Sequence, residues 1–181
     1  LQPYIAQNPP EDFSSGWSRS LLAAQQFGDS IAGLPFHDGP ECFIYRKDLF
    51  EDSREQQAYF ERHGTSLRVP QTWDEFQTVA RFFNRPEQNL YGTVFAGYPD
   101  GHNTVFDFVL QLWTRGGQLT DANGEVNVDT PQAVEALEFY KQLLLDKTAV
   151  HPQSVNYESV QMGMAFARGE AAMMVNWFGF A

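Results

Sequence analysis

The stretch that decides the fold is MGMAFARGEAAMMVNW, residues Met162–Trp177. Its first half predicts a helix that ends at Gly169, since glycine readily takes the left-handed conformation of a helix cap. The apolar run Ala171–Val175 then predicts a short strand that is buried on both faces, as strands of parallel sheets are. Ligands bind outside the carboxyl ends of such strands, so Asn176 and Trp177 are candidate binding residues. The alternative for Trp177 is a place in the hydrophobic core.

Strands and helices alternate along the rest of the chain. Thr72 and Glu75 form a capping box, and Thr130 caps another helix whose first residue is proline. The alternation predicts an α/β fold with a mixed, mostly parallel sheet flanked by helices. Predicted strands are Glu41–Tyr45, Tyr91–Ala96 and Ala171–Val175; predicted helices include Arg54–Arg62 and Thr104–Arg115. On helical spacing we expect five apolar side chains to be buried: Trp73, Phe76, Val134, Leu137 and Phe166.

Composition narrows the class of protein. The 181 residues suffice for a sizeable core, and a net charge of −11 argues against nucleic acid or an anionic membrane as partner. No apolar run is long enough to span a membrane. The single Cys42 can form no internal disulfide, and the sequence has neither a metal-binding Cys/His motif nor a nucleotide-binding motif, so we expect no metal and no cofactor. Because the chain begins at Leu1, we expect an internal piece of a longer protein.

Acidic residues and histidines leave an enzymatic alternative open. A carboxylate pair of the glycosidase kind would have to come from residues that flank the predicted turns and helix starts: Asp38, Glu41, Asp100 and Asp107. With 23 acidic residues in the chain, such neighbours also arise by chance. The histidines lie in predicted loops, which favours exposed positions for all four: His37, His63, His102 and His151.

Two loops that follow predicted strands indicate a different kind of site. The loop Gly97–Thr104 follows one predicted strand, and Asn176 follows another. If both strands are parallel, both loops emerge at one edge of the sheet, and the first leads into a helix N-terminus. We therefore expect three residues to share a crevice with Trp177: His102, Asn103 and Phe106. Polar groups beside an aromatic face suit a sugar, whose hydroxyls take hydrogen bonds while its C–H face stacks.

Six motifs in order also resemble a known family, the extracellular solute-binding proteins of ABC importers, of the carbohydrate-binding type that includes maltose-binding protein. The motifs are Gly33–Pro35, Tyr45–Phe50, Pro70–Phe76, Gly116–Leu119, Asp129–Leu137 and Ala165–Met173, and they span nearly the whole chain.

The resemblance implies two α/β lobes with a ligand cleft between them. Residues 1–36 would be the tail of the first lobe with the hinge approach, and residues 37–181 most of the second lobe. It implies an antiparallel strand at Glu41–Tyr45, which brings three residues to the cleft floor: His37, Asp38 and Gly39. It also places Trp177 against a sugar ring.

The function that the resemblance implies is capture of a solute, a sugar or oligosaccharide, for delivery to the membrane permease of the importer. The location would be periplasmic or extracellular. The alternatives are a carbohydrate-active enzyme domain that uses a carboxylate pair, and an interaction module in which the aromatic residues are only core.

Overall fold

The computed structural model describes residues 1–36 and 39–181. The chain divides into two compact units, Leu1–Pro40 and Glu41–Ala181. In the described part of the first unit, two short helices precede a hairpin of two short antiparallel strands. These elements are α1 (Gln2–Gln7), α2 (Arg19–Ala24), β1 (Gln26–Phe27) and β2 (Ser30–Ile31).

The second unit holds three strands and six α-helices. Its elements in chain order are β3 (Glu41–Tyr45), α3 (Lys47–Phe50), α4 (Ser53–His63), α5 (Trp73–Phe83), β4 (Tyr91–Val94), α6 (Asn103–Thr114), α7 (Pro131–Leu144), α8 (Ser159–Ala167) and β5 (Ala171–Trp177). Across the described parts of the chain, the helices are too short or too polar to cross a membrane.

Helix caps form where the sequence places them. The Thr72 hydroxyl accepts from the N–H of Glu75, and the Thr130 hydroxyl accepts from the N–H of Ala133. Each cap satisfies one of the N–H groups that a helix start leaves free. Gly169 follows α8 with φ of +82°, so the predicted left-handed cap before the last strand is confirmed.

The strand predicted from the apolar run is the centre of the sheet, whose order is β3-β5-β4. β4 runs parallel to β5, and β3 runs antiparallel to it with Glu41 opposite Trp177 and Phe43 opposite Val175. The mixed sheet and the antiparallel first strand are both confirmed. Because cross-strand partners share one face, the Glu41 and Trp177 side chains lie on the same side of the sheet.

Helices cover both faces of the central strand. On one side the ring of Phe76 in α5 meets Phe43 edge-on, with ring centroids 6.0 Å apart. On the other side Met174 packs with Met162 and Ala165 of α8. Residues Ala171–Met174 are fully enclosed, as expected for a strand between two helical layers.

The expected burial of the five apolar side chains is right for only part of the set. Phe76 is 3% exposed, and Trp73 and Phe166 are partly buried. Val134 and Leu137 are more than half exposed, so the expectation for α7 was wrong. The helix instead packs the neighbouring face, which carries Ala133, Ala136, Tyr140 and Leu143. Because alanine side chains are small, α7 can approach α6 closely, and this contact determines which face of α7 is buried.

The expectation of four exposed histidines was also wrong at one position. His151 is 6% exposed, with its ring 4.6 Å from that of Tyr91 and 5.4 Å from that of Tyr157. Burial lowers its pKa, and the neighbouring Glu170 opposes that effect. His151 is therefore a packed residue at the end of β5 opposite to Trp177.

Candidate functional site

Trp177 is the last residue of β5 and remains partly exposed. The enclosed run before it fixes its place, since Ala171–Met174 cannot move without opening the core. The loop after β4 and the end of β5 emerge at the same edge, because the two strands are parallel. The sheet therefore brings the start of α6 next to Trp177.

The loop before α6 is built around Asp100. One carboxylate oxygen accepts from the backbone N–H of His102 at 2.8 Å, and the other lies 3.4 Å from the side-chain nitrogen of Asn103. Gly101 between them has φ of +73°, which is a left-handed conformation that glycine takes without strain. These contacts hold the His102 ring at the edge of the sheet.

Three of the predicted site residues contact Trp177 directly. The His102 ring lies nearly parallel to the indole at a centroid distance of 5.9 Å, and the Phe106 ring meets it edge-on at 4.9 Å. The indole N–H lies 3.4 Å from the side-chain oxygen of Asn103, which is itself buried. The predicted convergence of these residues is thus present in the fold, and their binding of a ligand remains a prediction.

Asn176 has a different environment from its neighbour. It is 1% exposed, and its side-chain nitrogen donates to the carbonyl of Ser159 at 3.1 Å. Its side-chain oxygen accepts from the N–H of Trp177 at 2.8 Å. The expectation that Asn176 faces the ligand fails on this geometry, because alternation along β5 turns its amide toward α8. The residue positions the end of the strand.

Three further candidates cannot be compared with this cluster. His37 and Asp38 lie outside the described residues. Gly39 belongs to the unit that ends at Pro40, and Trp177 belongs to the other unit. Their expected place on the floor of a cleft therefore remains a prediction.

A buried carboxylate directly follows Phe106 in α6. Asp107 is 7% exposed and accepts a hydrogen bond of 2.9 Å from the Tyr140 hydroxyl. Burial raises the pKa of Asp107 to about 7; the Tyr140 hydrogen bond opposes the rise and the charge of Glu41 adds to it. This pair ties α6 to α7 beneath Phe106. The sequence contained a signal for it, since a tyrosine on a packed helix face needs a partner for its hydroxyl.

Glu41 lies beside the cluster, and the sequence suggested it only as half of a catalytic pair. It is partly buried opposite Trp177, and burial raises its pKa while His102 opposes that rise. It also lines a cavity of about 450 Å³ between β3, α5 and α6. The other lining residues are Cys42, Phe43, Pro70, Gln71, Thr72, Trp73, Phe76, Leu110, Thr114 and Val175.

The arrangement suits non-covalent binding of a polar ring. The indole offers a flat apolar surface, Glu41 and His102 lie beside it with hydrogen-bonding groups, and Asn103 holds the indole N–H. Within residues 1–36 and 39–181, no group of three or more His, Cys, Asp or Glu side chains could hold a metal ion. Bound hydroxyls and a stacked C–H face are what this surface can recognise.

A family model and several known proteins are similar to this chain. The family model described as "Bacterial extracellular solute-binding protein" matches residues 1–181. A Brucella abortus protein that is named as a binding protein is 22% identical over 165 residues, which is 91% of this chain and 37% of the relative.

Two solved structures share the fold. An ABC transporter solute-binding protein from Agrobacterium radiobacter K84, in complex with ribitol, has a TM-score of 0.79 and 26% identity, covering 98% of this chain and 41% of that one. Maltose-bound MalE3 of T. maritima has a TM-score of 0.71 and 27% identity, covering 88% and 38%. The chain thus spans about two fifths of the length of the proteins that it matches.

Proposed function

Since this chain belongs to the bacterial extracellular solute-binding protein family, we propose that it contributes one wall of a solute-binding site in an ABC importer. The proposed solute is a sugar, an oligosaccharide or a related polyol. The observation that carries the proposal is the partly exposed Trp177, held among His102, Asn103 and Phe106 at the carboxyl edge of the sheet. The ribitol and maltose bound to the two similar structures support this class of solute.

In this proposal each residue of the cluster has a physical role. Trp177 is the platform for the C–H face of a ring, as aromatic side chains are in binding sites of this kind. His102 and Glu41 offer hydrogen-bonding groups toward hydroxyls, and Asn103 fixes the indole through its N–H. Asn176 and the Asp107–Tyr140 pair act beneath the surface and hold the strand end and α6 in place.

The mechanism that we propose is closure of two lobes around the solute. Residues 1–36 belong to the first lobe and the hinge approach, and residues 37–181 to the second lobe. A solute that contacts both lobes favours the closed state through the contacts made only there. The closed form then delivers the solute to the membrane permease, at a periplasmic or extracellular location.

We propose a binding role without catalysis. A glycosidase needs two carboxyl groups that both reach the substrate. Asp107, one of the carboxylates considered for such a pair, is buried and accepts from Tyr140 instead. The described surface thus offers its carboxylates for positioning and hydrogen bonding.

Ligand-observed NMR on the 181-residue chain tests the proposal. The probes are ribitol, maltose and an unrelated neutral solute such as urea, each at millimolar concentration. We expect weak contact of ribitol or maltose, no contact of urea and no turnover over hours, because one wall covers only one face of a solute.

The matched variants are Trp177→Ala and Trp113→Ala. Trp113 lies near the far end of α6 and is 58% exposed, so its removal changes the aromatic content without touching the cluster. The Trp177 variant should lose the contact, and the Trp113 variant should keep it. Equal signals from both variants, or no contact of either probe with the unmodified chain, would contradict the proposed function.

A further inference from the structure

The pairing of charged side chains differs between the two ends of the central strands. At the Ala171 end, the guanidinium of Arg46 binds Asp48 and lies 3.4 Å from the carbonyl of Gly169. Arg168 at the same end binds both oxygens of Glu170. Cations and carboxylates are therefore paired where the strand begins, and solvent-facing charge there is compensated.

The Trp177 end of the strands has a different balance of charged groups. Glu41 lies directly opposite Trp177 on the same face, and Asp100 sits at the start of α6. The carboxylate of Asp100 accepts the N–H of His102, the residue before α6, and so adds negative charge beside the helix N-terminus.

Glu41 differs from the other two carboxylates in its hydrogen bonding. Asp107 is committed to Tyr140, and Asp100 to the loop before α6. Within the described parts of the chain, no hydrogen bond to the Glu41 side chain is present, although the residue is partly buried and lines the adjoining cavity. A partly desolvated acceptor beside an aromatic platform can bind hydroxyl or ammonium groups, and it repels carboxylates and phosphates.

We infer that this surface selects its solute by charge, accepting neutral and cationic polyhydroxy compounds and disfavouring uronates and sugar phosphates, with Glu41 as the residue that sets the selection. The inference rests on the proposed function and adds the charge class of the solute to it. Discrimination of this kind depends on an unfavourable contact for the wrong ligand, and Glu41 supplies that contact.

The first test measures the charge at the surface without any solute. Anionic and cationic nitroxides of equal size are added to the ¹⁵N-labelled chain, and the relaxation of each tryptophan indole N–H is recorded. We expect stronger relaxation of the Trp177 indole by the cationic probe. Glu41→Gln should raise the anionic-to-cationic ratio at Trp177 by roughly threefold, as expected for one charge about 12 Å from the probe in water. The ratio at Trp113 should not change.

The second test compares solutes of one size. Ligand-observed NMR with glucose, glucosamine and glucuronate should show the weakest contact for glucuronate. Glu41→Gln should close most of that gap. Glu51→Gln is the matched control, since Glu51 is an exposed carboxylate beside Lys47 at the other end of the strands. This control removes the same charge without touching the cluster.

The outcomes distinguish the selection by charge from the proposed function on which it rests. Glucuronate contact equal to that of glucose, or an unchanged nitroxide ratio at Trp177 in Glu41→Gln, overturns the selection by charge. If no sugar contacts the chain but the nitroxide ratio shifts as expected, the proposed function is contradicted and the charge preference of the surface is supported. A shift of the Trp177 ratio in Glu51→Gln as large as in Glu41→Gln also overturns the role of Glu41.

Discussion

Two aromatic side chains on one face of the sheet differ in solvent exposure: the one at the middle of the sheet is enclosed, and the one at the Trp177 end is partly exposed. Phe76 lies over the middle and is 3% exposed, with Phe43 and Phe95 as ring neighbours. Trp177 lies at the end and is partly exposed, although its ring is the larger one. The difference comes from the cover, since α5 packs over the middle of the sheet, whereas His102 and Phe106 from the start of α6 pack against Trp177. The position of an aromatic residue along the sheet thus decides whether it belongs to the hydrophobic core or to the exposed surface proposed to bind a solute.

The largest expected effect concerns the covered region. Phe76→Ala should lower the free energy of unfolding by roughly 3–5 kcal/mol, because it removes a buried ring and leaves a cavity. Denaturant unfolding measures the change. Phe60→Ala is the control, since Phe60 is 53% exposed on α4. Equal midpoints for the two variants would show that burial does not distinguish the two positions.

The next effect lies at the boundary between the two regions. Burial raises the pKa of Asp107 to about 7, above its value in the unfolded chain, so the folded state holds a proton that the unfolded state releases. The resulting stabilisation is present at low pH and is lost as pH rises toward 7. Asp107→Asn removes the titration but keeps an acceptor for the Tyr140 hydroxyl.

The measurement is the difference in unfolding free energy between Asp107→Asn and the unmodified chain as pH changes. Asparagine stays neutral, so the difference should move in favour of the variant by roughly 3 kcal/mol between pH 5 and pH 8. A control at an exposed carboxylate, Glu51→Gln, should show little of this trend. A difference independent of pH would mean that Asp107 titrates as an ordinary surface carboxyl.

Substitution of Trp177 should affect binding of a solute and leave stability less changed. Trp177→Ala is expected to weaken binding of a neutral sugar by roughly 1–3 kcal/mol, the range for losing a stacked aromatic surface. Its free energy of unfolding should change by less than that of Phe76→Ala, because part of the indole already faces solvent. NMR titration and denaturant unfolding on the same sample give both values. Strong destabilisation without loss of binding would make Trp177 a core residue.

The smallest effect is expected on the exposed side of α7. Leu137→Ala should change the free energy of unfolding by no more than about 0.5 kcal/mol, since the side chain is 56% exposed. Leu143→Ala on the same helix is the matched control and should cost roughly 2–5 kcal/mol, because Leu143 is fully enclosed. Comparable losses in the two variants would argue that Leu137 is covered in solution.

Local signals in the sequence were enough for several elements. The cap at Gly169 and the wholly apolar Ala171–Val175 determined a helix followed by a central strand, because a run without polar groups is stable only between two covering layers. The capping residues Thr72 and Thr130 likewise determined where α5 and α7 begin. The cluster around Trp177 followed from topology, since parallel strands bring their ends to one edge.

Tertiary packing decided the rest. The face that α7 buries depended on how closely alanines can approach α6, whereas helical spacing alone favoured the face that carries Val134 and Leu137. The inward turn of Asn176 and the open carboxylate of Glu41 depended on strand register, which sets the side on which each residue lies. The sequence by itself determined the central strand and the helices with clear caps, because caps and apolar periodicity act over a few neighbouring residues. Only the assembled sheet and helices decided which side chains remain open to a solute, because exposure depends on residues that are distant in the chain.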